Sequence, residues 1–411
     1  MAELSVYLCN HYAGVLACDK QHRFSFQYAP EWLAKKDVPP LSLSLPFQEN
    51  SYPDEKARPF FTNLLPESAV REAVARKLGI SPRNEFALLE AIGGECAGAV
   101  TLLSRGVAPD NHAGYQELLP EQFHEIIRSL PEKPFLAGEN GIRLSLAGAQ
   151  DKLPVYLEGD RVFLPRGSSP SSHIIKPNIK GVDQSVRNEA FCMALAGKVG
   201  LKVPHVRVMT DPEELYVVER YDRYRDEKGC MHRLHQEDFC QAIGLMAETK
   251  YESEGGPSLA DCFSLINRFS THPALDRKAL LDWIAFNFLI HNADAHAKNL
   301  SLMLNADGVR LAPFYDLMCT GVYEGISEKM AMKIGNENRP QWIKSRHWVR
   351  VGEAVGIRAD FVLRTLREMG GLIANSADAL ASEQQALWGA SPIVSCVQKV
   401  IARQIKHISS D

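Results

Sequence analysis

Short apolar runs bounded by turn residues dominate the first hundred positions. Such runs predict strands, and they occur at 4–9, 14–17, 24–28 and 99–103. Leucine and serine alternate over 41–45, a pattern that predicts a half-buried strand. Helical spacing at 67–77 and 85–92 completes the segment, and Gly93-Gly94 ends the second helix. These patterns indicate a small unit of mixed α and β structure.

Further along the chain, strand patterns give way to helix patterns near residue 220. Residues 106–118 have the composition of a linker. Between this linker and residue 220, one helix is predicted at 184–199, and strands are predicted at 142–146, 153–157, 162–164, 173–176, 205–209 and 215–220. Helical patterns predominate from 236, interrupted by a strand pair near 300–304 and 309–311. We therefore predict an N-terminal unit (1–105), a β-rich lobe (106–220) and a helical lobe (221–411).

Composition is typical of a folded protein with two or three domains. Of the 411 residues, 45% are hydrophobic and 23% are charged, which argues against disorder. The formal net charge of −4 gives the whole molecule no attraction for nucleic acid, although a local basic patch is compatible with it. The nine cysteines are scattered without a CxxC pair, so reduced thiols are expected. Since no long apolar run or signal peptide is evident, we expect a cytoplasmic protein without membrane contact.

The most informative polar cluster, His291-Asn-Ala-Asp294-Ala-His296-Ala-Lys298-Asn299, follows an apolar helix predicted at 279–290. Burying so many polar groups is costly unless they have a function. Asp294 and Asn299 are five positions apart, the spacing of base and metal-ligating Asn in the kinase catalytic loop. Asp316, 17 residues further on, could supply a second metal ligand. A single fragment of this kind often occurs by chance, and His291 and His296 could simply cap or hydrogen-bond the end of the helix. Together, in this order, the fragments favour phosphoryl transfer.

Candidate parts of a nucleotide site precede this cluster. The small residues of 146–152 would let backbone amides approach a phosphate, although an ordinary hairpin connection explains them equally well. Glu189 lies on the apolar side of the predicted helix, where a carboxylate is costly unless a cation meets it. Lys176, at a strand end, is the natural candidate, as in the Lys–Glu pair of kinases; a solvated lysine is the alternative. Backbone groups of 217–221, at the lobe boundary, could contact an adenine edge.

These features resemble the HipA family of bacterial serine/threonine kinases, the toxins of HipBA-type (type II) toxin–antitoxin modules. The resemblance covers essentially the whole chain. It rests on Tyr28-Ala-Pro-Glu-Trp-Leu33, Pro40-Leu-Ser-Leu-Ser-Leu-Pro46, Asn63-Leu-Leu-Pro66, Gly98-Ala-Val-Thr-Leu102, Arg143-Leu-Ser-Leu-Ala-Gly-Ala-Gln150, His173-Ile-Ile-Lys176, Val218-Glu-Arg-Tyr-Asp-Arg223, Lys250-Tyr-Glu-Ser253, Asp294-Ala-His-Ala-Lys-Asn299 and Pro313-Phe-Tyr-Asp316. It implies an α+β, two-lobed protein-kinase-like fold, with a β-rich N-lobe, an α-helical C-lobe and an additional N-terminal α/β subdomain.

The resemblance also implies a role for individual residues. The implied roles are Asp294 as catalytic base, Asn299 and Asp316 as Mg²⁺ ligands, Lys176 as the nucleotide-phosphate lysine with Glu189 as its partner, Ala147, Gly148, Ala149, Gln150 and Lys152 as the phosphate loop, and Glu219 and Tyr221 as the adenine-contacting boundary. His296 stands where protein kinases usually have a lysine, and Lys298 could supply that charge to the nucleotide instead. Because Leu317 rather than Gly follows Asp316, a DFG-type switch is not expected.

Ser145 matches the family's autophosphorylated serine, whose phosphate expels the loop and silences the enzyme. Such a phosphate adds about two negative charges beside those of the nucleotide. An exposed strand hydroxyl without a regulatory role is the alternative interpretation.

ATP and Mg²⁺ are the implied cofactors, and the implied partners are a helix-turn-helix (HipB-like) antitoxin dimer, operator DNA bound through it, and a translation protein such as an aminoacyl-tRNA synthetase as substrate. Growth inhibition and co-repression of the operon are the implied functions. Two alternatives stay open, a catalytically silent co-repressor scaffold bridging antitoxin dimers on DNA and a small-molecule kinase of aminoglycoside type. A basic segment either touches a phosphate backbone or is simply solvated; it contains Lys333, Arg339, Lys344, Arg346 and Arg350, interleaved with Trp342 and Trp348.

Overall fold

The computed structural model describes residues 1–110, 114–139 and 141–410. Its first unit is an antiparallel sheet of strand order β3-β2-β1-β4, with short helices packed on it. The elements of this unit are β1 (Ala2–Leu8), β2 (His11–Cys18), β3 (Phe24–Tyr28), α1 (Pro30–Leu33), α2 (Asp54–Thr62), α3 (Ser68–Leu78), α4 (Glu85–Ile92) and β4 (Val100–Ser104).

A six-stranded antiparallel sheet of order β5-β7-β6-β8-β10-β9 forms the second layer. One long buried helix, α6, is inserted between its strands β8 and β9. The elements are β5 (Tyr115–Leu118), α5 (Pro120–Ser129), β6 (Leu153–Glu158), β7 (Arg161–Pro165), β8 (His173–Pro177), α6 (Ser185–Lys198), β9 (Val206–Met209) and β10 (Leu215–Glu219).

Helices dominate the remainder of the chain, as the sequence predicts. The buried helix α9 packs against α8, α11 and α12, and the same part of the chain contains a three-stranded sheet of order β13-β14-β15. The elements are β11 (Arg223–Arg225), β12 (Met231–Arg233), β13 (His235–Asp238), α7 (Phe239–Ile243), α8 (Leu259–Phe269), α9 (Pro273–Leu289), β14 (Ser301–Asn305), β15 (Gly308–Leu311), α10 (Ser345–Val355), α11 (Ala359–Trp388) and α12 (Pro392–Ser409). No helix in the three described ranges is long and apolar enough to cross a membrane.

Two hydrophobic cores lie on opposite faces of the six-stranded sheet. Along β10, Leu215 and Val217 belong to the core shared with the first unit, whereas Tyr216 and Val218 belong to the core around α9. This alternation follows from the two-residue period of a strand. Helix α6 packs in the core around α9. A contact between a side chain of α6 and a side chain of β8 therefore joins this core to the sheet. The core shared with the first unit contains residues on both sides of position 105. The predicted domain limits at 105 and 220 therefore stay a prediction.

A buried charge cluster fastens the first unit to the lobe boundary. The carboxylate of Glu95 contacts Arg220 at 3.1 Å and Arg223 at 2.6 Å. Asp222 contacts the same two guanidinium groups at 2.8 and 3.0 Å, and all four side chains are buried. Because a lone buried charge is strongly unfavourable, these contacts require the first unit to stay docked.

The alternating segment 41–45 is not a strand, so that prediction is wrong. A single bridge joins Ser42 and Leu45 across a turn. Leu41 and Leu45 are nevertheless fully buried, because the Tyr28 hydroxyl accepts from the Leu41 amide and donates to the Leu45 carbonyl. The alternating pattern therefore reflects a turn packed against the first unit rather than a strand paired in a sheet.

Two other predictions from pattern also need correction. Residues 142–146 form no strand, since only Leu144 bridges to Glu95. The predicted linker 106–118 includes β5, whose Tyr115 stacks on Tyr156 at a ring distance of 4.1 Å and so holds it on the sheet edge. Residues 111–113 of that linker lie outside the described residues.

Glu237 should make stability depend on pH. Its buried carboxyl on β13 accepts hydrogen bonds from the Ser42 hydroxyl and the Leu43 amide of the docked turn, and burial raises its pKa to about 8. In the unfolded chain the pKa is about 4.3, so the folded protein binds the extra proton between these values. We expect the free energy of unfolding to fall by up to about 1.4 kcal/mol per pH unit between pH 5 and 8 through this group.

Urea denaturation of the wild type and Glu237→Gln across pH 5–8 measures this effect. The neutral glutamine should remove the decline, so the two curves should diverge as the pH rises. Parallel curves would show that the carboxyl titrates normally.

Candidate active site

The loop after α9 brings Asp294 and Asn299 into one turn. The amide Nδ2 of Asn299 donates to the main-chain oxygen of Asp294 at 3.0 Å, which leaves the amide oxygen of Asn299 available for a cation. The carboxylate of Asp294 is about half exposed (51%), and its Oδ1 accepts from the Tyr251 hydroxyl at 2.6 Å. A short spacing in sequence thus becomes a pair of oxygen-bearing groups beside one opening.

Lys176 joins the two lobes at this opening. From β8 its Nζ lies 2.8 Å from Oε1 of Glu189 on α6 and 2.9 Å from Oδ1 of Asp316. Burial disfavours the ammonium ion, but Asp316 and Glu189 together hold the pKa of Lys176 above its ordinary value. The lysine is therefore charged at neutral pH and fixed between two carboxylates.

Asp316 is both strained and ionised. Its φ of 60° places a non-glycine residue in the left-handed region, a conformation found often at functional sites. Although burial acts in the opposite direction, the ammonium of Lys176 lowers the pKa of Asp316 to about 2. The side chain is 42% exposed, so the charged oxygens face the opening.

The donor set fits Mg²⁺ held jointly with phosphate oxygens. Mg²⁺ prefers oxygen ligands and is commonly bound through one or two carboxylates plus substrate phosphates and water. Asp316 offers a carboxylate and Asn299 an amide oxygen, and both line the same cavity. Within the described residues, no group of three or more His, Cys, Asp or Glu side chains could hold a metal alone.

The small-residue loop forms one wall of the site. Gly148 has a φ of +110°, a conformation that favours glycine because residues with a Cβ rarely adopt it. A Cβ there would also lie 2.5 Å from Nζ of Lys152, which would have to move. That Nζ donates to the Ala147 carbonyl at 2.6 Å and closes the loop on itself. Burial, and then the nearby charge of Lys176, lower the pKa of Lys152 to about 8. Gln150 ties the loop to β8 through the Pro177 carbonyl, at 3.0 Å.

A single cavity of about 370 Å³ between the lobes gathers the predicted residues. Ser145 does not line it. Those that do are Ala147, Gly148, Ala149, Gln150, Lys152, Lys176, Glu189, Glu219, Tyr221, Asp294, His296, Lys298, Asn299 and Asp316. Their roles stay predictions, but the space they enclose suits a nucleotide.

Lys298 and His296 are less open to a ligand than the sequence suggests. Nζ of Lys298 is buried and bonds to Oδ1 of Asn63 and, at 3.0 Å, to Oδ2 of Asp238. The imidazole of His296 is buried too, and this burial lowers its pKa, so the ring is neutral near pH 7. The geometry favours structural roles for both side chains.

Residues from outside the predicted set complete the site. Asn63 and Glu67 belong to the first unit, yet both line the cavity, and Glu67 contacts Lys250 at 2.9 Å and Lys298 at 3.7 Å. Tyr251 contacts Asp294 as described above. Asn63 and Tyr251 lie in the motifs Asn63-Leu-Leu-Pro66 and Lys250-Tyr-Glu-Ser253, and Glu67 directly follows the first of them. Neither motif indicates by itself that these side chains reach the cavity.

Ser145 is buried behind the loop. Its hydroxyl donates to the Leu64 carbonyl at 2.7 Å, and its amide donates to the Glu95 carbonyl at 2.9 Å. The interpretation as an exposed strand hydroxyl is wrong, because the side chain has no exposed surface.

This architecture is that of a two-lobed, protein-kinase-like α+β protein with an added N-terminal unit, as expected from the resemblance. Comparison with known families agrees. Residues 4–103 match the HipA N-terminal domain, and residues 144–377 match the HipA-like C-terminal domain. The chain belongs to the HipA family.

Individual relatives share most of the chain. A protein named as a kinase, Y4mE of Sinorhizobium fredii, is 41% identical over 92% of this chain and 91% of its own length. The serine/threonine-protein kinase toxin HipA of Shewanella oneidensis is 29% identical over 84% of this chain and 81% of its own. A solved complex of Shewanella oneidensis HipA with HipB and operator DNA superposes with a TM-score of 0.85 at 27% identity, covering 98% of this chain and 96% of that one.

The contacts of Lys298 predict a structural effect on mutation. Lys298→Met keeps the length of the side chain but removes the cation between Asp238 and Glu67, and loss of one partner from a buried ion pair costs about 3–5 kcal/mol. Asp294→Ala, at a half-exposed site, should change the free energy of unfolding by about 1 kcal/mol or less. Chemical denaturation of both variants measures the difference; equal stabilities would contradict the structural role of Lys298.

Proposed function

We propose that the protein is an ATP- and Mg²⁺-dependent serine/threonine protein kinase that acts as the toxin of a type II toxin–antitoxin system. One observation carries the proposal: the Lys176 ammonium lies within 2.9 Å of carboxylates from α6 and from the loop at Asp316, in the cavity that also contains Asp294 and Asn299. The kinase names of the relatives support it. An ATP-dependent kinase needs the phosphate-binding lysine, the metal ligands and the catalytic aspartate together in one site.

The charged side chains divide the work of phosphoryl transfer. Lys176 binds the α- and β-phosphates, and the backbone of 147–150 with Lys152 lines the path of the remaining phosphate. Asp316 and the amide oxygen of Asn299 would hold the metal ion. When bound, Mg²⁺ neutralises charge on the phosphates. Glu189 keeps Lys176 charged and aimed at the opening.

Asp294 orients the attacking hydroxyl. Its Oδ1 is engaged by Tyr251, so Oδ2 is the oxygen that accepts the hydrogen bond of a substrate serine or threonine. Catalysis of this kind is mostly positioning and charge neutralisation. At the lobe boundary, the main chain of Glu219 and the ring of Tyr221 contact the adenine of ATP. His296 and Lys298 support the loop that carries Asp294 and Asn299.

The proposed partners are a HipB-like helix-turn-helix antitoxin dimer and operator DNA bound through it. The solved Shewanella complex, which contains HipA, HipB and operator DNA, supports this proposal. The proposed substrate is a translation protein, such as an aminoacyl-tRNA synthetase, whose phosphorylation inhibits growth. The basic segment offers fewer free groups for contact with a DNA phosphate backbone than its sequence implies, because Arg339 pairs with Glu337 and Trp348 is buried. Trp342, which is about half exposed (51%), carries the guanidinium of Arg339 on its ring.

Autophosphorylation of Ser145 is the proposed regulation. In the described conformation the hydroxyl is buried against Leu64, and a phosphate with about two negative charges cannot be accommodated there. Phosphorylation therefore requires the segment to leave its place, and the phosphorylated form cannot return. Loss of the loop wall would remove the phosphate-binding surface.

Asp294→Ala should abolish phosphoryl transfer while the protein stays folded. Removing the hydroxyl-orienting carboxylate should lower the rate by about a hundredfold or more. The measurement is incubation of the purified protein with labelled ATP and a cell lysate, followed by identification of the labelled bands. Asp360→Ala is a matched control, since that aspartate is 90% exposed on α11.

Wild type and Asp360→Ala should label the same bands, and Asp294→Ala should label none. Full labelling by Asp294→Ala would contradict the assignment of the base. No labelling by any of the three proteins would favour the co-repressor scaffold instead.

A further inference from the structure

Tyr251 makes the shortest polar contact to the proposed base. Its hydroxyl donates to Oδ1 of Asp294 at 2.6 Å, and its ring packs edge-on against His296 at a centroid distance of 5.3 Å. No hydrogen bond from the described part of the chain reaches Oδ2 of Asp294. One oxygen of the carboxylate is therefore engaged and the other is not, on a side chain that lines the cavity.

The segment carrying Tyr251 is anchored on both sides. Lys250 contacts Glu67 of the first unit at 2.9 Å. The amide of Glu252 donates to the Ala331 carbonyl at 3.1 Å, and its carboxylate accepts from the Lys333 amide at 2.6 Å. Three consecutive residues (250–252, here called the strap) thus bind three separate parts of the molecule.

The backbone after the strap adds a further restraint. Gly256 donates its amide to the Tyr251 carbonyl at 2.9 Å. A Cβ at Gly256 would lie 2.4 Å from the Thr249 carbonyl oxygen and 2.7 Å from that of Tyr251. Only glycine permits this close turn, so the strap is folded tightly upon itself.

A strap held in this way is suited to fix a neighbour rather than to swing. A gate would need a free end and a side chain that can leave the base, whereas the phenol here is flanked by two anchored residues. A carboxylate whose first oxygen is bound cannot rotate freely about its Cβ–Cγ bond. The second oxygen is then presented in one direction only.

We propose that Tyr251 is the positioning residue of Asp294: by binding Oδ1 it directs Oδ2 toward the substrate hydroxyl. This inference rests on the proposed kinase function. Because Lys250 binds Glu67, the N-terminal unit contributes to the orientation of the base through the strap.

The test is Tyr251→Phe, which removes the hydroxyl and keeps the ring. A misdirected base should lower kcat about tenfold or more, because small errors in geometry are expensive in rate, while the KM for ATP stays within twofold. Tyr224→Phe removes a hydroxyl from a ring that is about half exposed (47%) and does not line the cavity, so it should leave both constants unchanged. A crystal structure of Tyr251→Phe should show Asp294 in more than one side-chain orientation, against one in the wild type.

An unchanged kcat in Tyr251→Phe beside an active wild type would overturn the proposal, as would a KM for ATP that rises in step with a loss of kcat. If the wild type transfers no phosphate, the proposed function fails, and the crystal structures decide the inference alone. A single Asp294 orientation in both proteins would overturn it, and a loss of order confined to the variant would support it.

Discussion

The whole site depends on one buried ammonium ion shared by two carboxylates. Lys176 comes from the sheet, Glu189 from a helix packed in the core of the other lobe, and Asp316 from a strained loop. Lys176 and Glu189 are both buried, so each of these charges depends on the other, since isolated buried ions are strongly unfavourable. Asp316, which is partly exposed, binds the ammonium ion from the opening. The same contacts that satisfy the charges therefore fix the distance between the lobes, and with it the width of the cavity. The site has one more negative charge than positive among these three groups, which suits a cation brought in with a nucleotide.

The N-terminal unit is part of the candidate active site rather than an attachment to it. Asn63 and Glu67 reach the catalytic loop through Lys298, and Glu67 reaches the strap through Lys250. Glu95 holds the boundary through Arg220 and Arg223. Apart from the hydrogen bond to Asn63, these contacts are ion pairs with little exposure to solvent. Undocking the unit would therefore leave charges without partners on both sides. The physical consequence is that the unit and the kinase-like lobes should behave as a single cooperative structure.

The sequence was most informative where a contact is local or periodic. Asp294 and Asn299 share one turn, so their spacing alone predicts their proximity, and the helical period places Glu189 on the buried side of α6. The pairing of Lys176 with Glu189 could be anticipated because a buried carboxylate needs a cation. Contacts across large sequence separations could not: no local pattern links Asn63 to Lys298 or Tyr251 to Asp294. The segment 41–45 failed for a related reason, since its alternation reflects docking onto Glu237 and Tyr28 rather than pairing with a neighbouring strand.

Calorimetric titration of ATP, with and without Mg²⁺, into the wild type and Asp316→Asn shows whether these side chains converge on a metal-bound triphosphate. We expect ATP binding in the wild type to strengthen at least about tenfold with Mg²⁺, because Asp316 would hold the ion together with phosphate oxygens. In the isosteric variant we expect this Mg²⁺ dependence to be lost. ATP binding of equal strength with and without Mg²⁺ in the wild type, or an unaltered Mg²⁺ dependence in Asp316→Asn, would contradict that convergence.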